Sequence, residues 1–168
     1  MIDPSQEPIS ELPRMPYDPG PASELLAWPV ALDRLENART YWLTTMRPDG
    51  RPHVMPVWAV WLEGAIWFST SEDSVKGRNV AQEPRCSVSL DAASMQIVVD
   101  GVTRRVTAAS DLQRFADAYT PKYDWQMTVV DGAVAFDDGG GGNVYAVRAQ
   151  TVFALSDDGS FTSTRWRF

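Results

Sequence analysis

The chain has 168 residues, 44% of them hydrophobic and 22% charged, which suits one domain with a full apolar core. Its 15 basic and 22 acidic residues leave a formal net charge of -7, which argues against nucleic-acid or anionic-membrane partners, since both need a basic field. One cysteine, Cys86, and one histidine, His53, exclude an internal disulfide and any multi-Cys or multi-His metal site, so no metal is expected.

Residues 1–21 are rich in proline and poor in apolar residues, and read as an extended arm ahead of a single domain, 22–168. The arm has no apolar signal core, and no apolar run in the chain approaches a membrane span, so a cytoplasmic location is expected. From Ala22 to Ala38 the pattern is helical, with Leu25, Leu26, Val30, Leu32 and Leu35 mostly on one side. Ser23 is a plausible cap, and Pro29 suits the start of a second short helix. Thr40 to Met46 is β-rich, Pro48-Asp49-Gly50 is a turn, and Pro52 to Leu62 is expected as one long partner strand. Glu63-Gly64 turns the chain into a strand from Ala65 to Thr70.

Asp73 to Gln82 is expected to be helical and stopped by Pro84, with Arg85 to Asp91 returning as a strand. Met95 to Thr107 is another strand, with Gly101 as a bulge or a point of close approach. A helix capped by Ser110 runs to about Tyr119 and is ended by Pro121, leaving Lys122, Tyr123 and Trp125 in a less regular stretch suited to covering a substrate. Gly139 to Gly142 lacks the Lys-Ser/Thr of a phosphate loop and reads as a flexible connector. Asn143 to Ala149, Thr151 to Leu155 and Ser160 to Phe168 are late strands. The acidic pairs Asp137-Asp138 and Asp157-Asp158 are turns rather than catalytic carboxylates. Short strands joined by hairpin turns, with few helices between them, predict a mainly β barrel.

Two stretches carry chemistry. Ser69, Thr70, Ser74, Lys76 and Arg78 put hydroxyls and cations around a helix start, which favours an anion such as phosphate; a solvated, Ser-capped helix face is the plain alternative. In Met55-Pro56-Val57-Trp58 the proline marks an edge or opening of a sheet. Backbone groups there could meet the polar rim of a flat ring while Val57 and Trp58 supply apolar surface; ordinary edge packing is the alternative. The terminal Thr164-Arg165-Trp166-Arg167-Phe168 interleaves arginine with aromatics and suggests docking into a structured site.

Arg47-Pro48-Asp49-Gly50-Arg51-Pro52-His53, Pro56-Val57-Trp58, Trp67-Phe68-Ser69-Thr70 and Lys76 to Asn79 followed by Pro84-Arg85, together with the terminal Thr-Arg-Trp-Arg-Phe, resemble the pyridoxamine 5'-phosphate oxidase-like, FMN-binding split-barrel superfamily. More narrowly they resemble the actinobacterial oxidoreductases that use the deazaflavin coenzyme F420. The resemblance implies a six-stranded antiparallel split barrel with peripheral helices, a homodimer, and a cofactor site along the dimer interface. Met55, Pro56, Val57 and Trp58 would line the ring, and Ser69 and Thr70 would support the ring or ribityl chain. Ser74, Lys76, Arg78 and Asn79 would hold the phosphate, and Trp166 and Arg167 would reach in from the other subunit. Pyridoxamine phosphate oxidases carry an arginine near Met55, an Arg-Lys pair where this chain has Val75-Lys76, and a terminal Arg-x-His where it has Arg165-Trp166-Arg167. Those departures favour coenzyme F420 over FMN. The implied activity is hydride transfer between the deazaflavin and a small enone-, quinone- or tetrapyrrole-like substrate. An FMN oxidoreductase or a non-catalytic cofactor-binding dimer is the alternative. No side-chain nucleophile is required, and the proton donor stays open among His53, Tyr123 and bulk water.

Overall fold

The computed structural model describes residues 7–13, 25–137, 139–157 and 162–168. The expected Ser23 cap, most of the N-terminal arm and the Asp158-Gly159 turn lie outside the described residues. Within them the elements are β1 (Ile9–Glu11), α1 (Trp28–Asn37), β2 (Tyr41–Met46), β3 (Pro52–Val57), β4 (Ala59–Leu62), β5 (Ala65–Thr70), α2 (Val75–Gln82), β6 (Arg85–Asp91), β7 (Met95–Val106), α3 (Ala109–Tyr123), β8 (Met127–Val130), β9 (Ala133–Phe136), β10 (Gly141–Ser156) and β11 (Ser163–Arg167).

All pairings are antiparallel, along the path β1-β11-β10-β7-β6-β2-β3, with β4-β5 joined to β10 and the β8-β9 hairpin joined to the start of β10. The architecture is mainly β and antiparallel, consistent with a split barrel, but the described residues form eleven strands where six were expected. Most of the surplus comes from the short β1, the β8-β9 hairpin and the break that divides β3 from β4.

The expected strand Pro52 to Leu62 breaks at Trp58. Its first half pairs β2 and its second half pairs β5, so Trp58 is where the chain crosses from one part of the sheet to another. The two expected late strands are one strand, β10, which pairs β5 through Arg148 and β11 from Thr151 onward. The register of β10 against β7 slips between Ala149 and Thr151, opposite Gly101 and Asp100. A Cβ on Gly101 would lie 2.2 Å from the Arg148 carbonyl oxygen, so glycine is needed for close approach. Gly141 and Gly142 belong to β10 and not to a connector, and a Cβ on Gly142 would lie 2.5 Å from the Thr70 backbone. Pro121 does not end the third helix. It sits in the last turn of α3, which stops at Asp124 in the left-handed conformation (φ 53°). That helix is capped at Ala108 without a side-chain bond, so Ser110 is not its cap.

Both faces of β5 are buried, which accounts for its near-continuous apolar text. One face joins an inner core with Leu35, Tyr41, Leu43, Phe68, Ile97 and Trp166. The other joins Trp67, Leu112, Phe115, Tyr119 and Val144 under α3. Each fully buried large side chain removes apolar surface worth about 1.5–3 kcal/mol. No helix among the described residues is long and apolar enough to cross a membrane.

Candidate functional site

The strand β3 pairs only with β2, so its other edge has no strand partner among the described residues. Pro52 and Pro56 suit that position, because each removes an N–H that a ladder would have needed. Alternation sets His53, Met55 and Val57 opposite Thr45, Leu43 and Tyr41. Leu43 is fully buried while its partner Met55 is 39% exposed, so the sheet interior opens to solvent along β3.

One end of this opening is basic. Ser74 caps α2, its Oγ accepting from the Gly77 N–H at 3.0 Å, donating to the Ser71 carbonyl at 2.8 Å and lying 3.0 Å from Thr70 Oγ1. Buried Asn79 donates from Nδ2 to Thr45 Oγ1 at 2.9 Å, and Thr45 Oγ1 donates to the His53 carbonyl at 3.4 Å. Asn79 therefore ties α2 to the β2-β3 hairpin. Burial lowers the pKa of half-buried Lys76 below the usual lysine value. Partial desolvation, then the nearby Arg47 and Lys76, lower that of His53. Neither Lys76 nor Arg47 has an ion-pair partner among the described residues. Asp49, on which Arg47 acts weakly, is bound by Arg51 at 2.7 Å.

The other end is aromatic. Trp58 stacks on Tyr123 with centroids 4.9 Å apart and planes 4° from parallel, and Trp125 meets it edge-on at 5.2 Å. The Tyr123 hydroxyl accepts from the Ala59 N–H at 2.9 Å and donates to the carbonyls of Ala59 (2.7 Å) or Arg39 (3.0 Å). Its phenol is pushed up to about 12, chiefly by burial. A phenol so engaged is no accessible proton donor. Lys122 is likewise fixed in α3 and not in a loose cover: its Nζ donates to the Glu36 carbonyl (2.8 Å), the Tyr41 hydroxyl (2.9 Å) and the Ala59 carbonyl (3.1 Å), and burial drops it to about 8. His53 and Trp58 are five residues apart, about 16 Å at strand rise.

The remaining expected residues divide. Arg78 donates to the Asp73 carbonyl and lines a cleft of about 460 Å³ with Thr103, Arg105, Asn143 and Tyr145. Arg105 donates to Asn143 Oδ1 at 2.7 Å, and Asn143 Nδ2 to Glu72 at 3.1 Å, so this cleft is mixed in charge. Ser69 lies on the opposite face of β5 from Thr70, with a buried Oγ that has no partner among the described residues, so the two do not act on one ligand face. Trp166 is fully buried in the core of its own chain, 5.4 Å from Trp28, and does not reach outward; Arg167 donates to Glu11 at 2.8 Å. Arg47, Thr45 and His53 join the basic end although sequence reasoning did not assign them there. Their signal was the period-2 alternation of the hairpin, which puts Thr45 and His53 on one face.

A family model described as pyridoxamine 5'-phosphate oxidase matches residues 28–155. No curated protein matches the sequence. Among solved structures, a conserved hypothetical protein from Mycobacterium tuberculosis superposes with a TM-score of 0.65 at 21% identity, covering 79% of this chain and 86% of that one. An F420 reductase gives 0.52 at 21% identity, covering 71% and 93%. A heme binding protein from Mycobacterium smegmatis gives 0.57 at 23% identity, covering 76% and 52%. At such identities the likeness is one of fold.

Proposed function

The chain belongs to the pyridoxamine 5'-phosphate oxidase family, and from that premise we propose that it is an oxidoreductase that transfers hydride between the deazaflavin coenzyme F420 and a small conjugated organic substrate. The observation that carries this reading is the open edge of β3, basic at one end and aromatic at the other. Unpaired cations at Lys76 and Arg47 suit a phosphate, Met55 and Trp58 offer apolar surface for a flat ring, and about 16 Å of strand between His53 and Trp58 suits an extended phosphoribityl ring. Bound there, the deazaflavin supplies two electrons as hydride.

The chain's own contribution is positioning and exclusion of water. Lys76 and Arg47 set the anionic end, with Ser74 and Thr70 as hydroxyl ligands that already share one hydrogen bond. Asn79 holds the helix in place by its bond to Thr45. Trp58 is fixed by Tyr123, so it presents a rigid platform. The outer row of the β2-β3 hairpin, with Trp42, Met46 and Val54 all 40% exposed or more, suits a second copy of the chain. A homodimer would place two open edges near one interface.

The FMN reading shares this fold and this edge. It is disfavoured by Val75-Lys76 and Arg165-Trp166-Arg167, where pyridoxamine phosphate oxidases carry Arg-Lys and Arg-x-His. Tryptophan fluorescence during titration with F420, and separately with FMN, tests the proposal. Quenching with micromolar or tighter F420 binding and weaker FMN is expected, and hydride transfer to an enone or quinone acceptor should follow. The reverse preference would establish the FMN enzyme. Tight binding without turnover on any acceptor would establish a cofactor carrier, and binding of neither would sink the proposal.

A further inference from the structure

We infer that His53 is a ligand of the cofactor's phosphate, donating from Nε2 as a neutral imidazole beside Lys76 and Arg47. This rests on the cofactor reading only for the identity of the anion; the anion site itself stands on the side chains. Three groups capable of donating to an anion lie together at the end of β3: Lys76 from the first turn of α2, where Asn79 one turn on is bonded to Thr45; Arg47 from the turn after β2; and His53 from β3 itself, opposite Thr45. No acid among the described residues pairs with either cation, and Asp49 is held by Arg51. The neighbouring Thr45 and Asn79 are neutral and bonded to each other.

The protonation state follows from the surroundings of the ring. Its Nδ1 is enclosed and has no hydrogen-bond partner among the described residues. An N–H placed there would be buried without an acceptor, so the favoured tautomer leaves Nδ1 bare and puts the proton on Nε2, the edge left open. Imidazolium would need both N–H groups and would face Lys76 and Arg47. Desolvation and those two cations act in the same direction on its pKa. His53 thus offers one outward donor without adding a third positive charge, much as a neutral histidine serves as an electrophile elsewhere. It also takes His53 out of the role of proton donor at the ring end, about 16 Å away, where Tyr123 is already engaged. That leaves water as the proton source.

His53 is the only histidine in the chain, so one imidazole is seen by ¹⁵N-edited NMR without assignment. The protein is titrated with inorganic phosphate, coenzyme F420, FMN and riboflavin. The expected result is an Nε2–H tautomer at pH 7, an Nε2 shift with phosphate, with F420 and with FMN, and none with riboflavin. His53→Gln, whose amide reaches as Nε2 does, should keep FMN affinity within about threefold. His53→Leu should lose about tenfold, the value of one hydrogen bond to a charged group. Between pH 6.5 and 8, affinity should follow only the ligand's own ionisation near about 6. An imidazole that becomes charged on binding overturns the neutral-donor assignment. So does a silent imidazole when FMN binds and Lys76→Met weakens it, although the cofactor reading then survives. If neither cofactor binds but inorganic phosphate still shifts Nε2, the cofactor reading falls and the anion site stands.

Discussion

The sheet has two ends, and the chain treats them oppositely. At the β11 end, the short strand β1 pairs along the edge in the register Ile9↔Arg167, Ser10↔Trp166 and Glu11↔Arg165. Glu11 bridges Arg167 at 2.8 Å and Arg165 at 3.7 Å, and Trp166 lies fully buried between them. At the β3 end the outer edge has no strand partner among the described residues. Two prolines blunt the strand, and Trp42, Met46, Val54, Met55 and Trp58 remain exposed around it. Exposed edges invite unwanted association, and native sheets cover or blunt them. A sheet that covers one end with its own chain and only blunts the other leaves the second end open to a ligand or to another copy. The difference teaches that aromatic residues of like appearance do unlike work: Trp166 is buried in the core and holds the fold, whereas Trp58 stays at the surface, where the proposed cofactor would meet it.

The largest effect expected from this contrast comes from deleting each tryptophan. Trp166→Ala removes a fully buried ring from the inner core and should cost about 3–5 kcal/mol. Trp58→Ala removes a ring that is 41% exposed, and should cost under about 1.5 kcal/mol while weakening cofactor binding about tenfold or more. Urea unfolding gives the first pair of numbers and fluorescence titration the second. Equal losses of stability in the two variants would break the comparison.

Association is next. If a second copy covers the outer row of the hairpin, Val54→Asp places a charge in an apolar interface and should convert a dimer to a monomer in sedimentation at micromolar concentration. Val54 is 51% exposed within one chain, so the fold itself should survive. A wild-type chain that sediments as a monomer would remove the dimer from the proposal and leave the ligand as sole occupant of that end.

Much of this contrast was legible before the structure. Ala65–Thr70 and Arg85–Asp91 fall where turn residues bracket β-rich text, and both strands have those limits. The basic helix start and the proline-marked strand were also readable, because caps and prolines act locally. What was not legible depends on partners. Nothing in Val57-Trp58-Ala59 announces that the chain changes pairing there, since both halves are good strand text. Trp166 looked like a ligand group because interleaved arginines look alike at an exposed or a buried end; only the docking of β1 shows where they go. The β8-β9 hairpin did carry a local signal, Asp131-Gly132 between apolar runs, with Gly132 at φ 67°, and that signal was overlooked.

The support beneath the open end has its own pH signature. Lys122 is held near about 8 in the folded chain, against an ordinary value of about 10.4 unfolded. Between those values the unfolded chain binds a proton that the folded chain does not, so stability rises with pH from about 8. Above about 10 the buried tyrosines reverse the trend, because Tyr41, Tyr119 and Tyr123 all resist ionisation in the fold and yield their protons more readily unfolded. Urea midpoints should therefore climb between about 8 and 10, and the climb should vanish in Lys122→Met. An unchanged climb in that variant would assign it to another group.

The smallest effect belongs to the covered end. Glu11→Gln keeps the side chain's length and one acceptor oxygen while removing the charge that Arg165 and Arg167 share. All three side chains are about a third exposed or more, so solvent screens the pairs, and the loss should be under about 1 kcal/mol, shrinking further as salt is added. The covering of β11 then rests on backbone pairing and on the burial of Trp166, with the ions as a minor addition. Amide hydrogen exchange on β11 is the sharper readout, since local opening of an edge shows there before global unfolding does. Protection of β11 that persists in Glu11→Gln supports a covering made by strand pairing. If exchange across β11 rose to that of an unprotected edge, the ion pairs would be the clasp, and the two ends would differ in their charges more than in their pairing.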